Sequence, residues 1–122
     1  MAKVLIVDDM QAILVLYHAI FSSRGFEVVT ASNGNDCIRL AKREKPDIIL
    51  LDVMMPKMDG GMTASLLLAD PQTQHIPIIF LTSMVSEEEA MASNNQPSGR
   101  QFISKSTPPE AIVAKVREII GL

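Results

Sequence analysis

Two runs, Val4-Leu5-Ile6-Val7 and Ile48-Ile49-Leu50-Leu51, contain no polar residue, and each ends directly in acid: Asp8-Asp9 after the first, Asp52 after the second. A strand with one wet face alternates apolar and polar residues. A run without alternation has to be buried on both faces, which points to a parallel sheet covered by helices above and below. The three acids then stand at the carboxyl ends of buried strands. Clustered carboxylates repel one another and lose hydration there, so bringing them together is costly. A hard divalent cation between them would cancel the repulsion. An all-oxygen ligand set favours Mg²⁺, which keeps waters and accepts a phosphate oxygen as a further ligand.

The rest of the chain supplies the helices that such a sheet needs. A β-branched strand over 3–7 leads to a helix over 11–24 that Gly25 ends. A second strand over 27–31 passes through the turn Asn33-Gly34 into a helix over 35–44, which Pro46 closes. The third strand, 48–51, opens into a loop over 52–60 and a helix over 61–69, stopped by Asp70-Pro71. Residues 76–81 read as the fourth strand, with Pro77 confined to its start. Ser86-Glu87-Glu88-Glu89 caps a short fourth helix. After a loop over 94–99 comes a short strand over 101–103. Thr107-Pro108-Pro109-Glu110 reads as a capping box with proline at the first helical position, opening a last helix that runs to Ile120. Ligands on such sheets bind at the carboxyl ends of the strands. Thr82 and Lys105 join Asp8, Asp9 and Asp52 on that rim.

Those five residues suit phosphoryl chemistry. Asp52 is the candidate nucleophile, because an aspartate carboxylate can take a phosphoryl group as an acyl phosphate. Asp9 and Asp52, with Asp8 through waters, can hold one Mg²⁺, and the Lys105 ammonium would neutralise charge on the transferring group. The Thr82 hydroxyl can follow the phosphoryl oxygen. Each residue also has a plainer reading: a helix cap for Thr82, a solvated side chain for Lys105, capping for Asp8-Asp9. Taken singly those readings stand; the gathering of all five on one rim favours the chemistry.

Composition removes several classes. With 122 residues the chain is expected to be one domain over 1–122. A net charge of −3 without a basic stripe gives nucleic-acid binding no electrostatic support. The apolar stretches fall short of a membrane span, and Met1-Ala2-Lys3 runs straight into a strand, leaving no room for a signal peptide. Cys37 has no partner for an internal disulfide, so the expected location is cytoplasmic. His18 and His75 read as surface residues rather than ligands.

Val4-Leu5-Ile6-Val7-Asp8-Asp9, the stretch from Asp47 to Gly60, Leu81-Thr82-Ser83 and Phe102-Ile103-Ser104-Lys105 together resemble the receiver domain of two-component response regulators. The likeness covers essentially the whole chain. It implies a flavodoxin-like (βα)5 doubly wound parallel sheet, an α/β fold with strand order 2-1-3-4-5. It also implies Asp52 as phosphoacceptor for a histidine kinase or histidine phosphotransfer domain. Mg²⁺ would be held by Asp8, Asp9, Asp52 and the Met54 backbone carbonyl, and Lys105 would pair with the phosphoryl group. Thr82 and Phe102 would form a switch pair, Thr82 drawn inward and the Phe102 ring turning into the space it leaves. The change would be read by a downstream target protein on the surface of the fourth helix, fifth strand and last helix. Chemistry limited to its own phosphorylation and dephosphorylation does not make such a module an enzyme.

The chain departs from that family in three respects. Ser106 follows Lys105 where proline, often after a cis bond, is usual. A cis bond before a non-proline residue costs roughly 2.5–4 kcal/mol, so a trans linkage or a mixture is expected. Met10 follows Asp9, and Met54 and Met84 stand two residues beyond Asp52 and Thr82. Long apolar side chains there would crowd out an attacking water and slow loss of the phosphoryl group; the plainer reading is flexible filler. Finally, Leu14, Val15, Leu66 and Leu68 are apolar where relatives carry charge. Ala12, Leu14, Val15 and His18, with Ser106 and Thr107, are expected to form a docking patch for a four-helix phosphotransfer partner. That leans towards a relay intermediate, passing phosphate on to a second histidine domain, over a diffusible signal. Two rivals are weaker. A flavin-binding redox protein of the same topology needs a phosphate loop where Asp8-Asp9 would repel a phosphate. A haloacid-dehalogenase-like phosphatase needs an Asp-x-Asp motif after the first strand, which is missing.

Overall fold

The two runs without polar residues are neighbouring strands, β1 (Lys3–Val7) and β3 (Ile48–Asp52), paired in parallel with Val4 opposite Ile48 and Val7 opposite Leu51. The structure, a computed structural model, describes residues 1–83 and 101–122. Its other strands are β2 (Glu27–Ala31), β4 (Ile78–Thr82) and β5 (Gln101–Ser104). All pairings are parallel, in the order β2-β1-β3-β4-β5. The described helices are α1 (Gln11–Ser23), α2 (Gly34–Glu44), α3 (Gly60–Ala69) and a C-terminal helix (Pro109–Ile120). The fold is the flavodoxin-like one expected. The fourth helix expected from Ser86, the loop over 94–99 and Met84 lie outside the described residues.

Alternation of side chains across the sheet decides what each face buries. Val4, Ile6, Ile48, Leu50, Ile79, Leu81 and Ile103 pack under Leu14, Tyr17 and Phe21 of α1 and Ile112, Val113 and Val116 of the C-terminal helix. Leu5, Val7, Ile49, Leu51 and Phe80 face Cys37, Leu40 and Ala41 of α2 and Ala64 and Leu67 of α3. Both faces are covered, which is why β1 and β3 need no polar positions. Continuing the first row by two residues on each strand places Asp8, Asp52 and Lys105 together above the α1 layer.

Several boundaries differ from expectation for local reasons. Asn33 is the N-cap of α2 rather than part of a turn before it: its side chain accepts from the Asp36 N–H at 2.8 Å. Asp59 caps α3 in the same way through the Met62 N–H, also at 2.8 Å. The capping box expected at Thr107 does not form. Pro109 pushes the residue before it out of the helical region, so Pro108 sits at φ −56°, ψ 142° and becomes the N-cap, with no side-chain cap bond. Glu110 is therefore at the second helical position, one short of the box geometry. β4 starts at Ile78 because Pro77 has no N–H for the ladder, although its carbonyl accepts from the Ile49 N–H. The Lys105-Ser106 linkage is trans, since no cis peptide bond occurs among the described residues.

Candidate functional site

At the carboxyl end of β1, Asp8 is 1% exposed, and at the end of β3, Asp52 is 4% exposed. One cation serves both. The Lys105 ammonium donates to Asp8 Oδ2 at 2.6 Å and stands 3.2 Å from Asp52 Oδ1. The other Asp8 oxygen, Oδ1, accepts from the Met10 N–H at 2.9 Å, and Asp52 Oδ1 lies 3.4 Å from the Met54 nitrogen. Asp9 is exposed at the mouth. Oxygens of Asp8, Asp9 and Asp52 all lie within 4.8 Å of one another, as a shared ion would require.

The electrostatics are those of a half-compensated anionic cluster. Burial, then the Asp8 charge, raises the Asp52 pKa above its ordinary range, while Lys105 and the Met54 N–H oppose the rise. For Lys105, burial works against the ammonium. The hydrogen bond and charge of Asp8, followed by those of Asp52, outweigh it and leave the pKa raised. Two buried carboxylates share a single ammonium, and a third, exposed carboxylate stands beside them. An oxygen-only, net-anionic donor set of this kind fits a hard divalent ion better than a soft one.

The backbone behind Asp52 is tightly backed. The Gly60 N–H donates to the Val53 carbonyl at 3.0 Å. A Cβ on Gly60 would fall 2.9 Å from Val53 Cα and closer still to the Asp52 carbonyl oxygen. Only glycine lets the start of α3 approach β3 this closely. Thr82, 3% exposed, ends β4, and its carbonyl accepts from the Lys105 N–H at 2.8 Å. Phe102 is half-buried and stacks on Phe80, the ring centroids 5.1 Å apart.

All five rim residues are therefore at strand ends, and Asp8, Asp9, Asp52 and Lys105 form one cluster. The expected docking patch is only partly a surface. Leu14 is 4% exposed and belongs to the core, because α1 buries the stripe Leu14, Tyr17, Phe21; the exposed apolar pair is Val15 (62%) and Leu16 (50%). Ala12 and His18 are exposed, as are Leu66 and Leu68 on α3. A shallow groove of about 170 Å³ between α1 and β2 is lined by Gln11, Leu14, Val15, His18 and Thr30. Exposed Ser106 and half-buried Thr107 do not line that groove. Two neighbours of the cluster escaped the sequence reading. Tyr17 is buried, and its phenol is pushed up chiefly by burial, with the charges of Lys105 and Asp8 acting on it in opposite senses. Ser104 is a buried polar residue, 1% exposed, directly before Lys105. A serine inside an otherwise apolar strand end was the signal available.

A family model described as the response regulator receiver domain matches residues 4–117. Protein PilH of Pseudomonas aeruginosa is 31% identical over 121 residues, covering 99% of this chain and 99% of that protein. Response regulator PleD of Caulobacter vibrioides is 36% identical over 118 residues, covering 97% of this chain; the chain spans only 26% of PleD's length. Among solved structures, the receiver domain of sensor histidine kinase PA1611 from Pseudomonas aeruginosa PAO1 superposes with a TM-score of 0.81 at 23% identity, covering 99% of this chain and 98% of that one. That likeness is one of fold; its crystal structure has a magnesium ion coordinated in the active site cleft.

Proposed function

Because the chain belongs to the response regulator receiver domain family, we propose that residues 1–122 act as one phosphoacceptor domain in two-component signalling, with Asp52 as the residue phosphorylated. The observation that carries this reading is the shared Lys105 ammonium between two buried carboxylates, with Asp9 at the mouth. Receiver domains are signalling domains that bind Mg²⁺ at an acidic pocket, and the structural neighbour from PA1611 holds one. In this chain Asp8, Asp9 and Asp52 would hold the ion, with the Met54 backbone carbonyl as a further ligand. When bound, the ion supplies charge neutralisation for phosphoryl oxygens.

The protein's own residues do the rest. An Asp52 carboxylate oxygen attacks phosphorus on a phosphohistidine of a histidine kinase or histidine phosphotransfer domain. The new O–P bond forms as the P–N bond breaks, and the histidine ring nitrogen leaves with the electron pair. Lys105 balances charge on the phosphoryl oxygens and keeps the carboxylates of Asp8 and Asp52 compatible. The Thr82 hydroxyl turns to the arriving phosphoryl oxygen, and Phe102 moves with it, altering the surface that a downstream target reads. A relay role, passing the group on to a second histidine domain, is favoured by exposed apolar Val15, which lines the α1–β2 groove, and by exposed Leu16 next to it in the chain. Among the described residues no helix is long and apolar enough to cross a membrane.

Incubation with Mg²⁺ and acetyl phosphate, followed by intact-mass measurement, tests the reading. The parent protein gains one phosphoryl mass and Asp52→Asn gains none. An equal gain in both removes Asp52 from the role.

A further inference from the structure

Lys105 has to satisfy two carboxylates from one nitrogen, at 2.6 Å and 3.2 Å, at the end of a flexible four-carbon stem. Such a reach is reproducible only if the Cα it starts from is fixed. The Lys105 N–H is tied to the Thr82 carbonyl at 2.8 Å, which anchors one side. The other side lies beyond the end of β5, where the ladder no longer holds the chain. Here the residues flanking Lys105 bond to each other across it. Ser104 Oγ lies 2.7 Å from Ser106 Oγ, and the Ser106 N–H donates to Ser104 Oγ at 3.2 Å. The Thr107 N–H closes the same turn on the Ser104 carbonyl at 3.0 Å.

Burial makes this arrangement directional. Ser104 is 1% exposed, so its hydroxyl has been taken out of water and depends on a protein partner, whereas Ser106 lies at the surface. An exposed residue would otherwise be free to swing with its peptide, and the Lys105 Cα would swing with it. The buried hydroxyl acts as a fixed anchor, and the outer serine is pinned to it through both side chain and backbone.

We propose that Ser104 and Ser106 are positioning residues for Lys105: a hydroxyl clamp around the lysine that holds its ammonium between Asp8 and Asp52. This rests on the reading of Asp52 as phosphoacceptor and adds the means by which its cationic partner is held. Neither serine touches the reacting atoms; each acts through the lysine.

Phosphorylation of the full chain by acetyl phosphate tests this without involving a partner's docking surface. Ser106→Ala and Ser104→Ala slow the reaction roughly tenfold, the scale of loss for a charged group held slightly out of place. Ser106→Thr restores it. In a Lys105→Ala background Ser106→Ala has no further effect, since nothing remains to be positioned. A parent-like rate in Ser106→Ala overturns the clamp and leaves the Asp52 reading intact. So does an equal slowing in the Lys105→Ala background, which assigns the turn to folding alone. If the parent protein gains no Asp52-dependent phosphoryl group, the functional reading fails instead. The clamp is then judged by the ¹⁵N-lysine NMR signal of the Lys105 ammonium, sharp in the parent and broadened in Ser106→Ala. An unchanged signal overturns it.

Discussion

Replacing Lys105 by methionine keeps the length of the stem and removes the charge. At the observed separations of 2.6 Å and 3.2 Å, each attraction amounts to roughly 5–6 kcal/mol at an effective dielectric of about 20. Desolvation of the three groups offsets most of that. Removing one partner from a buried ion pair costs ~3–5 kcal/mol in practice. The Lys105 side chain is 16% exposed and Asp9 opens to solvent, so water screens the remaining carboxylates and a smaller loss is expected. Lys105→Met should lose about 2–3 kcal/mol at pH 7 without Mg²⁺, or about 8–12 °C in Tm for a domain of this size. Urea unfolding followed by circular dichroism is the suitable assay, since the chain has no tryptophan. Mg²⁺ should recover more stability in the variant than in the parent, because its pocket is more anionic. The pH dependence has a definite sign. Burial and then the Asp8 charge raise the Asp52 pKa above its ordinary 3.8, so the folded state takes up this proton first. Stability from this group is full below 3.8 and is lost as pH rises through the folded value. Without the lysine the folded value rises further, so the variant's deficit is small near pH 4 and largest at pH 7. A variant as stable as the parent at pH 7 without Mg²⁺ would refute the compensated-cluster account.

Three shorter predictions follow from other parts of the structure. Met54 is 62% exposed beside Asp52, and Met54→Asn should let water in and speed loss of the phosphoryl group several-fold, read as decay of the phosphorylated mass; unchanged decay returns the methionine to the role of filler. Gly60→Ala drives a Cβ into the Asp52 and Val53 backbone and should cost about 1–3 kcal/mol in urea unfolding, with slower phosphorylation. Cys37 is fully buried and its thiol is pushed up to about 12, so iodoacetamide at neutral pH should label it only after unfolding; rapid labelling of the folded protein contradicts that packing.

The acids and the sheet were legible because they rest on composition that only one environment tolerates: four apolar residues in a row, then carboxylate. The phase of α1 was not. Residues 13–17 are all apolar, so any of several stripes could face inward, and only packing in the core with the sheet and the C-terminal helix selects Leu14 and Tyr17 over Val15 and Leu16. Thr107 failed as a cap because the proline rule for the preceding residue outweighs the capping motif, a conflict between two local signals that the pattern alone leaves tied. Sequence reading puts Asn33 in a turn and Asp59 in a loop, yet the same short side chains that favour turns and loops also cap helices. Ser104 and Ser106 carry no periodic signature, since their bond depends on where the chain bends after β5.

All five positions of β3 are enclosed, with paired strands on either side and helices on both faces. The middle of the sheet thus behaves as a fixed post, and nothing attached to its tip can be absorbed by yielding of the post. Any rearrangement that follows falls instead to the surrounding loops and to side chains at the sheet's β4–β5 edge, which makes the chain's most enclosed segment the reference against which its movable parts are displaced.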